Sequence, residues 1–245
     1  MKSNFGRRWL KASLIGLVAA AGLGAGVQGV GAQTDPYTQG STGYDVSYPQ
    51  CGAAAPTGAF GIIGVNGGRP FSNNACLAAE YSAAPQSPAA SLYINTGYSG
   101  AYRKDITSGC TTQSRSISGS SSQKQAWAVG CSEAESSLTY AGQSGATSVA
   151  MWWLDVETAN SWSSNTSLNR YAIQGAATRL GQSGLPVGVY SSSSMWATLM
   201  GSGFTPSGVA ADWETAGGAC GAGFSGSPVW LVQSTNGGID SDSAC

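Results

Sequence analysis

An apolar run in the middle of the chain, Met151-Trp152-Trp153-Leu154-Asp155-Val156-Glu157, ends in two carboxylates two residues apart. In a β-strand successive side chains alternate between faces, so Asp155 and Glu157 are expected on one side and Val156 on the other. Two carboxyl groups in one microenvironment resist ionising together, and one then stays protonated near neutral pH, able to donate a proton. Cleavage of a glycosidic bond requires such a group. A plainer reading has the two acids capping the loop that follows the strand, since perturbed carboxylates mark sites only on average.

The residue types that are missing narrow the chemistry further. The chain has no histidine, which removes Ser-His-Asp and Cys-His nucleophilic systems and the common zinc hydrolase sites in one step. Acid–base work falls to carboxylates, tyrosines or lysines. The six cysteines, Cys51, Cys76, Cys110, Cys131, Cys220 and Cys245, have no close ligand spacing, so neither a metal nor another cofactor is expected. In an exported chain they make three disulfides. Of the 15 possible pairings, the sequential one is expected (Cys51–Cys76, Cys110–Cys131, Cys220–Cys245), each closing a loop of about 22 to 26 residues.

Seven of the twelve acids, Asp45, Asp155, Glu157, Asp212, Glu214, Asp240 and Asp242, lie within or at the ends of apolar runs. Solvated surface acids behave otherwise and keep to helix faces and loops, where Glu80, Glu133 and Glu135 are placed by the pattern. The elements that must position the seven follow in order. Gly43–Tyr48 is a short strand ended by Pro49, and Phe60–Val65 is a continuous apolar run of the buried parallel kind. A helix is expected over Asn73–Ala84, a strand over Ser91–Asn95, and a long loop without periodicity over 97–122. Helices over Gln123–Gln143 and Ser167–Leu180 flank the Asp155 strand. Pro186–Tyr190, a short helix over Met195–Met200, and strands Val209–Glu214, Val229–Gln233 and Ile239–Asp242 complete the chain. Strands alternating with helices imply a parallel sheet, and eight of them an α/β fold: a (β/α)8-like TIM barrel, irregular or incomplete, in a single disulfide-stapled domain.

In such a barrel the C-terminal strand ends converge on one mouth, and the first and last strands are neighbours. Asp45 and Asp240 are then expected to close a ring with Asp155 and Glu157. Tyr48, Tyr93, Trp153, Trp162, Tyr190, Trp213 and Trp230 lie on or just after strands, and flat rings with polar tips suit the faces of sugars, although part of this set is expected to be core. The candidate substrate-binding residues are Tyr48, Tyr93, Trp162, Tyr190 and Trp213, with Asn66, Asn95 and Gln233 at strand ends.

Residues 1–32 read as an export signal: Lys2, Arg7, Arg8 and Lys11, an apolar Gly/Ala-rich run from Ala12 to Val30, and small residues before Gln33. Arg7-Arg8 resembles a twin-arginine signal with one spacing residue missing, which leaves the route open. Residues 33–245 form the barrel domain. Without the signal, seven basic residues face twelve acidic ones, a formal charge of −5. Nucleic acid is therefore not an expected partner, and no membrane attachment is expected after signal removal. A monomer outside the cell or in its wall, acting on a polysaccharide, is the expected state.

At Asp45-Val46-Ser47-Tyr48-Pro49-Gln50, Leu154-Asp155-Val156-Glu157, Val189-Tyr190-Ser191 and Gln233 to Asp240, the chain resembles the family 25 glycoside hydrolases, the Chalaropsis-type lysozymes. It is more similar still to a group of secreted actinobacterial glycoside-hydrolase-like proteins that share the Gly43–Cys51 and Asp155–Trp162 pieces. The resemblance implies an incomplete (β/α) barrel that cleaves the β-1,4 bond after N-acetylmuramic acid in peptidoglycan. It implies Glu157 as general acid/base, Asp155 as the partner orienting the reaction, and Asp45 and Asp240 as further acids of the site. Where those lysozymes usually carry a Lys-containing second strand end and an aromatic, often His-containing third, this chain has Gly64-Val65-Asn66-Gly67-Gly68 and Tyr93-Ile94-Asn95-Thr96. Three functions compete: a muramidase-like glycosidase, a catalytically silent barrel that binds cell-wall glycan, and a structural or adhesive surface protein. The last leaves the gathered acids without a purpose.

Overall fold

The computed structural model describes Met1 and residues 33–215, 217–236 and 239–245; the expected signal, apart from Met1, lies outside the described residues. Eight strands close one barrel in chain order: β1 (Thr42–Val46), β2 (Gly61–Gly64), β3 (Ser91–Asn95), β4 (Trp152–Asp155), β5 (Val187–Ser191), β6 (Ala211–Glu214), β7 (Val229–Asn236) and β8 (Ile239–Ala244). Strands β1 to β7 run parallel. Strand β8 does not: it pairs antiparallel with both β7 and β1. This corrects the expectation of an all-parallel sheet, and the cause is the connection. Two residues separate Asn236 from Ile239, a link that can only reverse the chain, whereas a parallel neighbour needs a crossover of about a dozen residues or more. Asp240 at the start of β8 still lies in register with Asp45 on β1.

Among the described residues five α-helices wrap the barrel: α1 (Leu77–Ala83), α2 (Ser108–Ser114), α3 (Ser121–Gln143), α4 (Thr166–Gly181) and α5 (Ser193–Met200). Among the described residues no α-helix joins β1 to β2 or β6 to β7, so the barrel is incomplete as expected. The segment read as a long loop is instead folded into a 3-10 helix, Gly100–Asp105, and α2. Its Ser/Thr/Gly-rich sequence has weak helix propensity; α2 exists because the Thr107 side chain caps it, accepting from Cys110 N, and because Cys110 is bonded to Cys131 of α3. Helix α3 starts at a capping box in which Ser120 and Gln123 satisfy each other's backbone N–H. No helix among the described residues is long and apolar enough to cross a membrane.

Alternation along the strands builds two cores. Outward residues Tyr44, Val46, Ile63, Leu92, Ile94, Trp152, Leu154, Val187 and Val189 pack beneath Leu77, Ala134, Ile173, Ala176 and Leu180 of the helices. Inward residues Ile62, Trp153, Tyr190, Ala211, Trp213 and Leu231 fill the barrel, and a side chain of the size of Ile62 or Leu231 contributes roughly 1.5–3 kcal/mol through burial. Tyr37 closes the far end, its hydroxyl 2.7 Å from Ser91 Oγ and receiving the Trp153 indole N–H at 3.0 Å. Helices α3 and α4 touch backbone to backbone: a methyl at Gly130 would sit 1.8 Å from the Ala172 carbonyl oxygen, and one at Gly175 2.1 Å from that of Trp127. The three disulfides pair sequentially, as expected. They tie the turn after β1 to the start of α1, α2 to α3, and the β6–β7 loop to the C-terminus.

Candidate active site

Strand parity decides which acids meet. On β4 Trp153 points into the barrel, so Asp155 does too; the strand ends there, and Glu157, two residues on, keeps that parity from the following loop. Asp45 on β1 and Asp240 on β8 face each other across the closing seam. These four acids line a cavity of about 560 Å³ at the mouth, together with Tyr48, Asn66, Tyr93, Asn95, Tyr190, Trp213 and Gln233. No Lys or Arg is among its described lining residues.

Two acids expected with them lie elsewhere. On β6 Trp213 takes the inward slot, which turns Asp212 and Glu214 outward. Asp212 is buried beneath the β6–β7 loop, accepting from Ser225 N at 2.7 Å and from Ser225 Oγ at 2.5 Å. The Asp-x-Glu repeat is thus a copy of the β4 motif in sequence, shifted by one in phase. Asp242 is inward and fully enclosed below the cavity, where burial and then the Asp45 charge hold its carboxyl well above the usual range.

The cavity keeps its acids protonated more than water would. Burial, together with the neighbouring Asp240, pushes Asp45 up to about 7 against the opposing hydrogen bond from Gln233, whose amide donates to Asp45 Oδ2 at 2.9 Å. Asp155 is raised well above the ordinary range, by burial first and the Glu157 charge second, with the Asn95 amide working the other way. Glu157 is also raised by burial, and the Tyr190 hydroxyl beside it opposes the shift. That hydroxyl donates to Gln233 Oε1 at 2.7 Å, so Glu157, Tyr190, Gln233 and Asp45 form one chain around the mouth.

The opposite wall is built of amides. Asn95 at the end of β3 donates from Nδ2 to Asp155 Oδ2 at 2.8 Å and to Asn160 Oδ1 at 3.2 Å. Asn66 continues the sheet where β2 has ended: its Nδ2 donates to Asn95 O at 2.9 Å, and its Oδ1 accepts from Asn95 N at 3.2 Å. Its remaining N–H goes to Glu133 Oε1 at 3.1 Å. Asn66 therefore borders the cavity but spends its polar atoms holding Asn95. Glu133, read from the sequence as a solvated helix acid, is buried in α3 and pushed up to about 7 by that burial; its Oε2 accepts from Phe71 N at 2.5 Å. The correction arises from residues 67 and 62 positions away, and no local pattern reports it.

Of the aromatic candidates, Tyr93, Tyr190 and Trp213 form the cavity floor, Trp213 lying 4.6 Å from Tyr190 and 6.4 Å from Tyr93 between ring centroids. Gly64 makes room for Tyr93, since a methyl there would lie 2.8 Å from its ring. Tyr48 stands at the rim, 49% exposed. Trp153 and Trp230 belong to the barrel core. Trp162 does not line the cavity: it packs among the helices, and its indole N–H donates to the Glu157 carbonyl oxygen at 2.7 Å. The Asn160 N–H donates to the same oxygen at 3.1 Å, so Trp162 braces the turn that carries Glu157. Asn160 itself, absent from the sequence candidates, lines the cavity.

A family model described as lysozyme-like protein 1 matches residues 123–213, the stretch from α3 through β6 that includes Asp155 and Glu157. Among solved structures, the chain is similar to a muramidase from Trichobolus zukalii, with 16% identity over 83% of this chain and 93% of that one, at a TM-score of 0.53. It is also similar to the modular autolysin LytC from Streptococcus pneumoniae, with 14% identity over 82% of this chain and 46% of that one, at a TM-score of 0.52. A structure of LytC with a synthetic peptidoglycan ligand matches at 0.50, with the same identity and coverage. No curated protein sequence matches the chain. The resemblance drawn from sequence motifs thus holds at the level of the fold, an incomplete eight-stranded barrel shared with muramidases.

Proposed function

We propose that this chain is a secreted glycoside hydrolase of the muramidase type, cleaving β-1,4 bonds of peptidoglycan by carboxylate acid/base chemistry. The observation that carries the reading is the convergence of Asp45, Asp155, Glu157 and Asp240 on one cavity with no basic residue among its described lining. Burial raises Asp45, Asp155 and Glu157 with no cation to offset it, and a proton on Glu157 is what a departing glycosidic oxygen needs. Glu157 serves as general acid, and Asp155, fixed by Asn95, orients the reacting group. Asp45 and Asp240, when ionised, stabilise positive charge developing at the sugar ring. The lysozyme-like match over 123–213 and the muramidase fold support a peptidoglycan substrate, and the three disulfides support export. The test is incubation of purified protein with bacterial cell walls and identification of new reducing-end sugars. New N-acetylmuramic acid ends are expected; retention of glycan without new ends would leave a silent binding barrel.

A further inference from the structure

We infer that Asn160 is a specificity-determining residue that reads the 2-acetamido group of the bound sugar, its side-chain N–H groups taking the acetamido carbonyl while Asp155 Oδ1 takes the acetamido N–H. The inference rests on the glycosidase reading and names what the site selects. Three enclosed polar atoms in one corner of the cavity have no protein partner: Asp155 Oδ1, Asn95 Oδ1 and Asn160 Nδ2. Their orientations are not interchangeable. With Asp155 ionised, Asn95 turns its amide nitrogen to Asp155 Oδ2, 2.8 Å away, and the same nitrogen donates to Asn160 Oδ1. The hydrogen-bond chain leaves acceptors on the Asp155 and Asn95 side and a donor on the Asn160 side.

Enclosed polar atoms without partners are rare in folded proteins and point to a group that completes them. That group has to present a donor and an acceptor on different atoms. An acetamido group does so with its N–H and C=O. A 2-ammonium offers donors alone and would leave Asn160 Nδ2 unmatched, and a 2-hydroxyl has to serve both roles from one oxygen. Asn160 sits three residues after Glu157, in the turn closed on the Glu157 carbonyl by its own N–H and by Trp162, so the selecting amide and the proposed acid move as one piece.

The experiment compares wild type and Asn160→Asp on three glycans: an N-acetylated cell-wall glycan, its chemically de-N-acetylated form, and a β-1,4-glucan with 2-hydroxyls. The substitution keeps the Oδ1 acceptor used by Asn95 and replaces only the donor with a second acceptor. Wild type is expected to favour the acetylated glycan in kcat/KM by roughly 10- to 100-fold, because a site with buried polar groups rejects an analogue that leaves them unmatched. Asn160→Asp is expected to lower kcat/KM on the acetylated glycan by a similar factor and to spare or raise that on the de-N-acetylated one, whose 2-ammonium meets the new carboxylate. Since each ratio is taken within one protein sample, partial misfolding cancels. Should the Asp variant not fold, Asn160→Ser supplies the same ratio. Equal wild-type rates on acetylated and de-N-acetylated glycans, a preference for the glucan, or equal losses on both amino-sugar glycans would overturn the assignment while leaving the glycosidase reading intact. Wild type cleaving none of the three would instead remove that reading, and this inference with it.

Discussion

Glu133→Gln separates the buried bracket from an ordinary helix position. The wild-type carboxyl takes donors on both oxygens: Asn66 Nδ2 at 3.1 Å on Oε1, and Phe71 N at 2.5 Å on Oε2. A carboxamide has one acceptor, so one of these donors must meet the new NH2 group. Asn66 cannot relieve the clash by turning over, since its amide is engaged on both sides by the backbone of Asn95. Leaving one buried donor unmatched costs about 1–3 kcal/mol. Removing a carboxylate whose folded pKa is displaced to about 7 recovers part of that above pH 7, so the expected net destabilisation is about 1–3 kcal/mol at pH 5.5 and smaller at pH 8. Urea denaturation with the disulfides intact measures it at both pH values. Loosening Asn66 also loosens Asn95 and so Asp155, and turnover is expected to fall several-fold with little change in KM. A variant within about 0.5 kcal/mol of wild type at pH 5.5, with unchanged turnover, would refute the bracket.

Glu157→Gln keeps shape and hydrogen bonding but has no proton to give, so glycan cleavage is expected to fall about 100- to 10,000-fold with fold and glycan binding retained. Equal activity in that variant would move the acid role to Asp45 or Asp240. Stability is expected to decline as pH rises from about 4 to about 7.5, because Asp45, Glu133 and Asp212 are pushed up to about 7 in the folded state. The native chain then holds protons that the unfolded chain has released, so this stabilisation is complete below the unfolded pKa and lost as pH passes the folded one. A higher urea midpoint at pH 7.5 than at pH 5 would contradict those shifts. Denatured, unreduced mature protein is expected to titrate no free thiol; two or more would count against both the stapled barrel and export.

Period-two reasoning located Asp155 and Glu157 because it is a rule of local geometry, and it located Asp45 and Asp240 once strand order was added. The same rule on β6 requires knowing which residue of Ala211-Asp212-Trp213-Glu214 faces inward, and the sequence alone allows either parity. Trp213 wins in the fold because its ring packs on Trp153 and Tyr190 inside the barrel, a contact between three strands. The antiparallel β8 did have a local signal. Asn236-Gly237-Gly238 between two extended runs is hairpin chemistry. Trp162 and Asn160 lay in one loop, and what distinguishes them is which carbonyl or amide each finds across the cavity, a matter of tertiary distance alone.

The mouth can hold its acids only because the rest of the barrel is overdetermined. Asp45, Asp155, Glu157 and Asp242 are all raised by burial, meaning that ionising any of them works against folding, and no basic lining residue offsets it. A cation placed among them would stabilise the fold and at the same time draw their pKa values down, removing the proton that Glu157 is proposed to deliver. The protein instead confines the strain to one end. Below the site the floor is aromatic and sealed by Tyr37, and around it the Cys51–Cys76 bond ties the segments that carry Tyr48 and Asn66, while Trp162 holds the Asn160 turn. Relief is expected to come from the ligand, whose polar groups complete the atoms that the cavity leaves unmatched. A Gln233→Lys substitution would test this trade directly: its ammonium beside Asp45 should raise the urea midpoint at pH 7.5 and shift the alkaline limb of the activity profile to lower pH. A raised midpoint with an unshifted limb would show that the acids of the mouth do not share one field.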